Sequence, residues 1–477
     1  MQDELLKKRA VKNIIWRFAE RCGAQFVNLI ITIVLARILL PDDFGTVAII
    51  NVFIVVFNVF VDSGMANALI QKKNVDNKDF SSVFYFNIFQ GVVIYILLYL
   101  SAPLIAGFFN NTELTAMLRV AGLVLLISSV KNIQQAYVSK KLMFQKFFWA
   151  TLGGTVVSSV VGIWMACNGY GVWALITQNI INQLIDTLIL WLIVKWRPEK
   201  YFSFQRIKNL LSYGSKLLFS ALIDTVYNNF QSLFIGKFYT EADLAYYTKG
   251  KQIPDFLVAN INATLDSVLF PIMSDVQDDI PRLKSMTRKA ISTSTTLLWP
   301  ILAAVIASAP QMISVLLTDK WIDSVFFLRV FCISYALWPI HTANLNAIKA
   351  YGKSGTFLIQ EIMKKTIGIT VLLLVFNKGV HAIALSVLIT APISAFINWF
   401  PNRKNISYRF WEQIKDILPA LGMAIIEFGV VFLLSFLNIN IYIKFGLQIL
   451  LGIVTYCIMI YSFKKDIIQL ALSIVRK

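Results

Sequence analysis

Apolar stretches of about twenty residues follow one another along this chain almost without pause, and that pattern limits its fold more than any other feature. A helix needs about 20 apolar residues to cross a bilayer core, and within lipid only helices and closed barrels satisfy their own backbone hydrogen bonds. With 57% hydrophobic and 15% charged residues and a mean hydropathy of +0.67, the sequence reads as an all-α integral membrane protein. About fourteen spans are expected, near 13–39, 44–70, 80–108, 114–138, 146–168, 170–194, 210–236, 243–271, 286–316, 325–349, 356–377, 379–400, 415–437 and 441–463. No loop leaves room for a soluble domain. The net charge of +18 sits in short clusters between spans, which is the positive-inside pattern rather than a nucleic-acid surface. Cys22, Cys167, Cys332 and Cys457 lie in apolar spans without metal-ligand spacing and read as buried hydrophobes. The N-terminus runs from MQDELLKKRAVK into a long charged helix, unlike a cleavable signal, so the first helix is expected to stay.

Loops alternate in charge. Pro41-Asp42-Asp43, Asn110 to Glu113, Asn168 to Gly171 and Thr240 to Asp243 are short and hold no lysine or arginine. The loops between them carry Lys72, Lys73 and Lys78, then Lys140, Lys141 and Lys146, then Lys195, Arg197, Lys200, Arg206 and Lys208, and later Arg403, Lys404 and Arg409. With Lys7, Lys8, Arg9 and Lys12 before the first span and Lys464, Lys465, Arg476 and Lys477 after the last, both termini are expected in the cytoplasm, which requires an even number of spans.

The chain also repeats itself. Ala36 to Gly45 (ARILLPDDFG) aligns with Gly236 to Ala245 (GKFYTEADLA), and the same 200-residue offset sets Asn28 on Asn228. Ala102-Pro103 then matches Ala309-Pro310, Leu118-Arg119-Val120 matches Leu328-Arg329-Val330, and Gly171-Val172-Trp173-Ala174 matches Gly379-Val380-His381-Ala382. Six spans per copy return the chain to the same side, so the copies are expected to be parallel repeats. The expected architecture is a six-helix lobe over 1–200, a second over 201–405, and a C-terminal helix pair with a cytoplasmic tail over 406–477.

Polar stripes mark the first helix of each copy. Arg17, Arg21, Gln25 and Asn28 recur at three- and four-residue steps in the first, as do Lys216, Ser220, Asp224 and Asn228 in the seventh. An arginine at mid-span costs about 2.5–3.5 kcal/mol on insertion scales, so such stripes are expected to face a cavity, here a cationic one suited to an anionic cargo. The alternative is that Glu20 neutralises one arginine while the other reaches the cytoplasmic interface. Lys131 has no carboxylate within one helical turn, which favours a cavity position; Lys251 with Asp255, and Glu361 with Lys364 and Lys365, allow local neutralisation. Arg119 and Arg329 stand near outer span ends and are expected to snorkel. Asp224, with Asp62 second, is placed to bind a coupling proton or sodium ion. Enzyme signatures are missing: Gly352-Lys353-Ser354 mimics the end of a Walker A loop, but Ala347 stands where its first glycine belongs, and His341 and His381 are isolated. No cofactor is expected.

The run LARILLPDDFGTVAIINVFIVVFNVFVDSGMANALIQ, followed by SSVFYFNIFQGVVIYILLYLSAPLIAGFF and GVWALITQ, resembles the polysaccharide-transport (Wzx-type) flippases of the MOP exporter superfamily, as do GKFYTEADLAYYTKGKQIPD and TDKWIDSVFFLRV in the second half. The resemblance implies a two-lobed transporter that moves a polyprenyl-diphosphate-linked oligosaccharide from the inner to the outer leaflet of the bacterial cytoplasmic membrane. It also implies membrane lipid, a glycan polymerase or glycosyltransferases as neighbours. The rival within the superfamily is a cation-coupled multidrug antiporter, which is expected to favour carboxylates over arginines; the other rival is a membrane-embedded polymerase, ligase or glycosyltransferase. On the flippase reading, Arg17, Arg21, Gln25, Asn28, Lys131, Lys216 and Asn228 bind cargo. The loop charges yield a direct test. In a cysteine-free background, cysteines at Asp42, Asn111 and Thr240 are expected to react with an impermeant thiol reagent from outside, while ones at Asn74 and Asn402 are not; labelling of Asn74 from outside refutes the topology.

Overall fold

The computed structural model describes residues 23, 25–62 and 64–463. They form helices α1 (Gln25–Ile38), α2 (Pro41–Asp62), α3 (Met65–Gln71), α4 (Asn77–Phe109), α5 (Leu114–Ala121), α6 (Leu123–Lys140), α7 (Phe144–Cys167), α8 (Val172–Ile193), α9 (Phe204–Phe238), α10 (Glu241–Asp275), α11 (Ile280–Leu317), α12 (Ser324–Tyr335), α13 (Trp338–Ala350), α14 (Ser354–Val375), α15 (Val380–Asn405), α16 (Phe410–Leu433) and α17 (Ile441–Phe463). No described residue lies in a strand. Ten helical segments among the described residues are long and apolar enough to cross a membrane, which makes this a multi-pass membrane protein. The other expected spans coincide with α1, α9, α10 and α14, helices diluted by polar and charged side chains.

Several expected single spans are broken. The second divides at Gly64, whose φ of +66° is a left-handed conformation that glycine adopts without penalty. The fourth bends at Gly122, where an added Cβ would lie 2.8 Å from Leu98 Cδ2. The tenth breaks between α12 and α13, with Pro339 in the first turn of α13.

Contacts divide the chain into two compact units, 1–245 and 246–477. In the first, α9 packs on α2, α3 and α4. Glycines let the backbones approach: a Cβ on Gly64 would lie 2.4 Å from the Gly214 carbonyl oxygen, and one on Gly45 would lie 1.8 Å from that of Glu241. A core of Phe80, Phe84, Phe147, Ile133, Leu190 and Trp196 fills the same end as Gly64, with the Phe80 and Tyr137 rings 5.4 Å apart, edge to face. Beside it, buried Asp79 accepts from Lys72 and from Arg206 at 2.8 Å. Asp76 completes a capping box with Asp79 at the start of α4 and accepts from Arg206 at 2.6 Å. Basic residues also close the C-terminus of α8: Lys146, in the first turn of α7, donates to the Ile193 carbonyl at 2.7 Å and Arg197 to that of Val194 at 2.6 Å.

In the second unit, α11 packs against α12, α13, α16 and α17. Arg288 grips Asp416 with two bonds, of 2.8 and 2.7 Å, and Tyr408 donates to the same carboxylate at 2.8 Å. Deeper, the Asn402 amide donates to Asn344 Oδ1 at 2.9 Å between α15 and α13.

Two outcomes follow from these contacts. Gly45→Ala forces a side chain into the Glu241 backbone, and overpacking of this kind costs about 1–3 kcal/mol; a detergent-solubilised variant is expected to melt several degrees lower. The hydrogen bond from Arg206 holds the Asp76 carboxyl below its usual range. Its contribution is therefore present above the unfolded-state pKa of about 3.9 and is lost as pH falls through the lower folded value. An Arg206→Met variant is expected to show a flatter fall in melting temperature below pH 5 than the wild type.

Candidate functional site

Arg17 and Arg21 lie outside the described residues. Gln25 and Asn28, on the same expected stripe, are exposed on α1. On α9 the four-residue spacing holds: Lys216, Ser220, Asp224 and Asn228 are all exposed, while Ile207, Leu210, Gly214 and Ile235 are buried against the first unit. The exposed side of α9 carries an ammonium, a hydroxyl, a carboxylate and an amide among apolar Phe219, Ile223 and Val226. Lipid tails would have to desolvate the Lys216 ammonium and the Asn228 amide, which favours water or a polar ligand beside them.

Lys131 takes a different place. It is buried on α6, and its ammonium donates to Asp186 Oδ2 at 2.9 Å and to Gln183 Oε1, both on α8. Its neighbour Asn132 donates to the carboxylate of Asp62, the last residue of α2. Two consecutive α6 residues thus tie α2 and α8 together. On α8 the network continues, because Asn182 donates to Ser158 on α7 at 3.2 Å. A Cβ on Gly154 would lie 2.9 Å from the Asn182 carbonyl, which is why α7 presents a glycine there.

The local view of Lys131 overlooked a carboxylate that arrives from another helix 55 residues on. Asn132 and Gln183 also went unmarked in the sequence. The available signal was the spacing Asn182, Gln183, Asp186, which puts three polar groups on neighbouring positions of one helix.

In the second unit, Lys251 and Asp255 stand 4.0 Å apart at i,i+4, and Lys364 donates to Glu361 at i,i+3, both local pairs. Lys249 is buried on α10 with its ammonium 5.8 Å from the centre of the Trp321 ring. Half-buried His341 meets Asn398 at 3.0 Å. Arg119 and Arg329 fold back on helix carbonyls, of Tyr99 at 3.3 Å and Ile306 at 3.2 Å. Among the described residues no group of three or more His, Cys, Asp or Glu side chains converges to hold a metal.

This bundle of amphipathic spans has known counterparts. The polysaccharide biosynthesis protein family matches residues 34–326. The teichuronic acid biosynthesis protein TuaB of Bacillus subtilis (strain 168) is 24% identical over 412 residues, covering 83% of this chain and 84% of that one. The lipopolysaccharide biosynthesis protein WzxC of Escherichia coli (strain K12) is 21% identical over 336 residues, covering 69% and 67%. Among solved structures, the lipid II flippase MurJ in an inward closed conformation superposes with a TM-score of 0.75 at 17% identity, covering 95% of this chain and 100% of that one, a likeness of fold.

The buried pair separates structure from transport. Lys131→Met strands the Asp186 carboxylate, a loss of about 3–5 kcal/mol for a broken buried pair, and is expected to melt far lower than Lys131→Met/Asp186→Leu, in which both charges are gone. Full transport by the double variant would make Lys131 a structural residue; a stable but inactive double variant would give it a role toward cargo.

Proposed function

This chain belongs to the polysaccharide biosynthesis protein family, as a Wzx-type flippase of the MOP superfamily, and from that premise we propose that it carries a polyprenyl-diphosphate-linked oligosaccharide from the inner to the outer leaflet of the bacterial cytoplasmic membrane by alternating access. It acts as a transporter rather than an enzyme, with fourteen spans, both termini in the cytoplasm, six-helix lobes over 1–200 and 201–405, and a helix pair over 406–477. The relatives' names point to surface-polymer synthesis.

The exposed Lys216 and Asn228 on α9 carry the reading, because a membrane helix that turns an ammonium and an amide away from its own core suits a polar passenger. The repeat has local support. Asp43 accepts from the Leu40 amide at 2.9 Å and Asp243, two hundred positions on, from the Thr240 amide at 3.2 Å. Arg119 and Arg329, also matched, each donate to a carbonyl in a long preceding helix.

In this mechanism Arg17 and Arg21 capture the diphosphate, since a guanidinium offers a fork that matches two phosphate oxygens and stays charged at any physiological pH. Gln25, Asn28, Lys216 and Asn228 line the path. Asp224, with Asp62 second, binds the coupling proton or sodium ion. The membrane potential assists, at about 2.3 kcal/mol per uncompensated charge per 100 mV.

Two measurements test this. Arg17→Ala and Arg21→Ala are expected to abolish export of lipid-linked glycan in an inserted, stable protein, with lysine restoring only part because a point charge replaces a fork. Full activity of both alanine variants refutes the capture site. In proteoliposomes, Asp224→Asn is expected to bind cargo yet lose its response to an imposed ion gradient; retained gradient dependence removes Asp224 from coupling.

A further inference from the structure

A cavity of about 650 Å³ opens in the first unit between the end of α4 and the α9–α10 turn, away from the α9 stripe's charged middle. Its size lies in the roughly 300–1,000 Å³ range of small-molecule sites. The walls are built rather than incidental. Asn111 Nδ2 donates to Glu241 Oε1 at 2.8 Å, and Thr46 Oγ1 donates to Glu241 Oε2 at 2.6 Å, so the carboxylate is pinned from both sides. Lys237 donates to the Phe108 carbonyl, with its ammonium 4.6 Å from the centre of that ring, which ties the end of α9 to the end of α4. Asn110 closes α4 at a left-handed φ of +56°, and it and Thr112 are exposed at the rim.

The chemistry of this lining selects among ligands. Sugar hydroxyls both donate and accept, and the Asn110 amide and Thr112 hydroxyl offer both functions. Phe109 and Tyr239 add aromatic surface for the apolar faces of sugar rings. A lipid tail finds too few apolar partners. A diphosphate meets two carboxylates, Glu113 and Glu241, against the single ammonium of Lys237, so the lining is net negative and repels it. The loops that form the cavity, Asn110 to Glu113 and Tyr239 to Glu241, hold no basic residue and belong to the set that positive-inside asymmetry assigns to the outside.

We propose that this cavity is an extracytoplasmic glycan subsite that takes uncharged or amine-bearing sugar residues of the cargo while excluding its diphosphate. The proposal rests on the flippase reading for the origin of the glycan. It gives the two ends of the path opposite preferences: arginines for the phosphates at the cytoplasmic side, and amides with carboxylates for the sugars at the outer side. A sugar seated between α4 and the α9–α10 turn also bridges the segments that Glu241 joins.

The test uses purified full-length protein in detergent and the free repeat-unit oligosaccharide released from the surface polysaccharide of the source strain, without lipid or phosphate. Saturation-transfer NMR and calorimetry are expected to detect binding. Asn110→Gly, which keeps the left-handed backbone, and Thr112→Ala, at an exposed position, are each expected to weaken it about three- to tenfold with unchanged melting temperature. Inorganic pyrophosphate is expected not to compete. No binding by the wild type, unaltered binding by both variants, or displacement by pyrophosphate overturns the subsite. Transport of lipid-linked cargo is measured separately: transport without oligosaccharide binding defeats the subsite alone, and binding without transport defeats the flippase reading alone.

Discussion

An ammonium inside a membrane bundle has to be matched by the protein, since the surroundings supply neither water nor counterion. At Lys131 the match comes from Asp186 and Gln183 on α8, and the adjacent Asn132 reaches Asp62 on α2. Three helices are fixed by two consecutive side chains. The same requirement orders the end at which α4 begins, where buried Asp79 draws in Lys72 and Arg206 and so positions the start of α9 beside the start of α4. Hydrophobic burial cannot set such registers in a bilayer, because lipid is as apolar as the helix faces it would replace. Polar pairs and close backbone contact set them instead.

Close contact depends on glycine. Gly45 against Glu241, Gly64 against Gly214 and Gly154 against Asn182 are places where a methyl group has no room. At the first of these, the closeness brings the Glu241 side chain to Thr46 and Asn111, which in turn shapes the neighbouring cavity. Packing and the candidate glycan subsite therefore share one cause. The α9 stripe lies on the other side of that packing: α9 meets α2, α3 and α4 through Ile207, Leu210 and Gly214, and Lys216, Asp224 and Asn228 remain exposed beside Phe219, Ile223 and Val226.

Hydropathy alone determined the all-α, multi-pass character, because unbroken apolar runs of about twenty residues suit a spanning helix, whereas a barrel strand needs only about ten residues of alternating polarity, and the runs from LARILLPDDFG onward carried the family. The four-residue period of the α9 stripe was equally legible, since helical spacing is local and survives folding. Local pairs such as Glu361 with Lys364 could be read for the same reason. Tertiary structure alone decided the partner of Lys131, which comes from 55 residues away on another helix. It also decided the breaks at Gly64 and Gly122, which depend on what each glycine meets across an interface, and the cavity beside Glu241, whose walls come from loops some 130 residues apart. Period and composition are properties of one segment, whereas a charge pair, a close crossing and a cavity are properties of two, and only folding brings the second segment to the first.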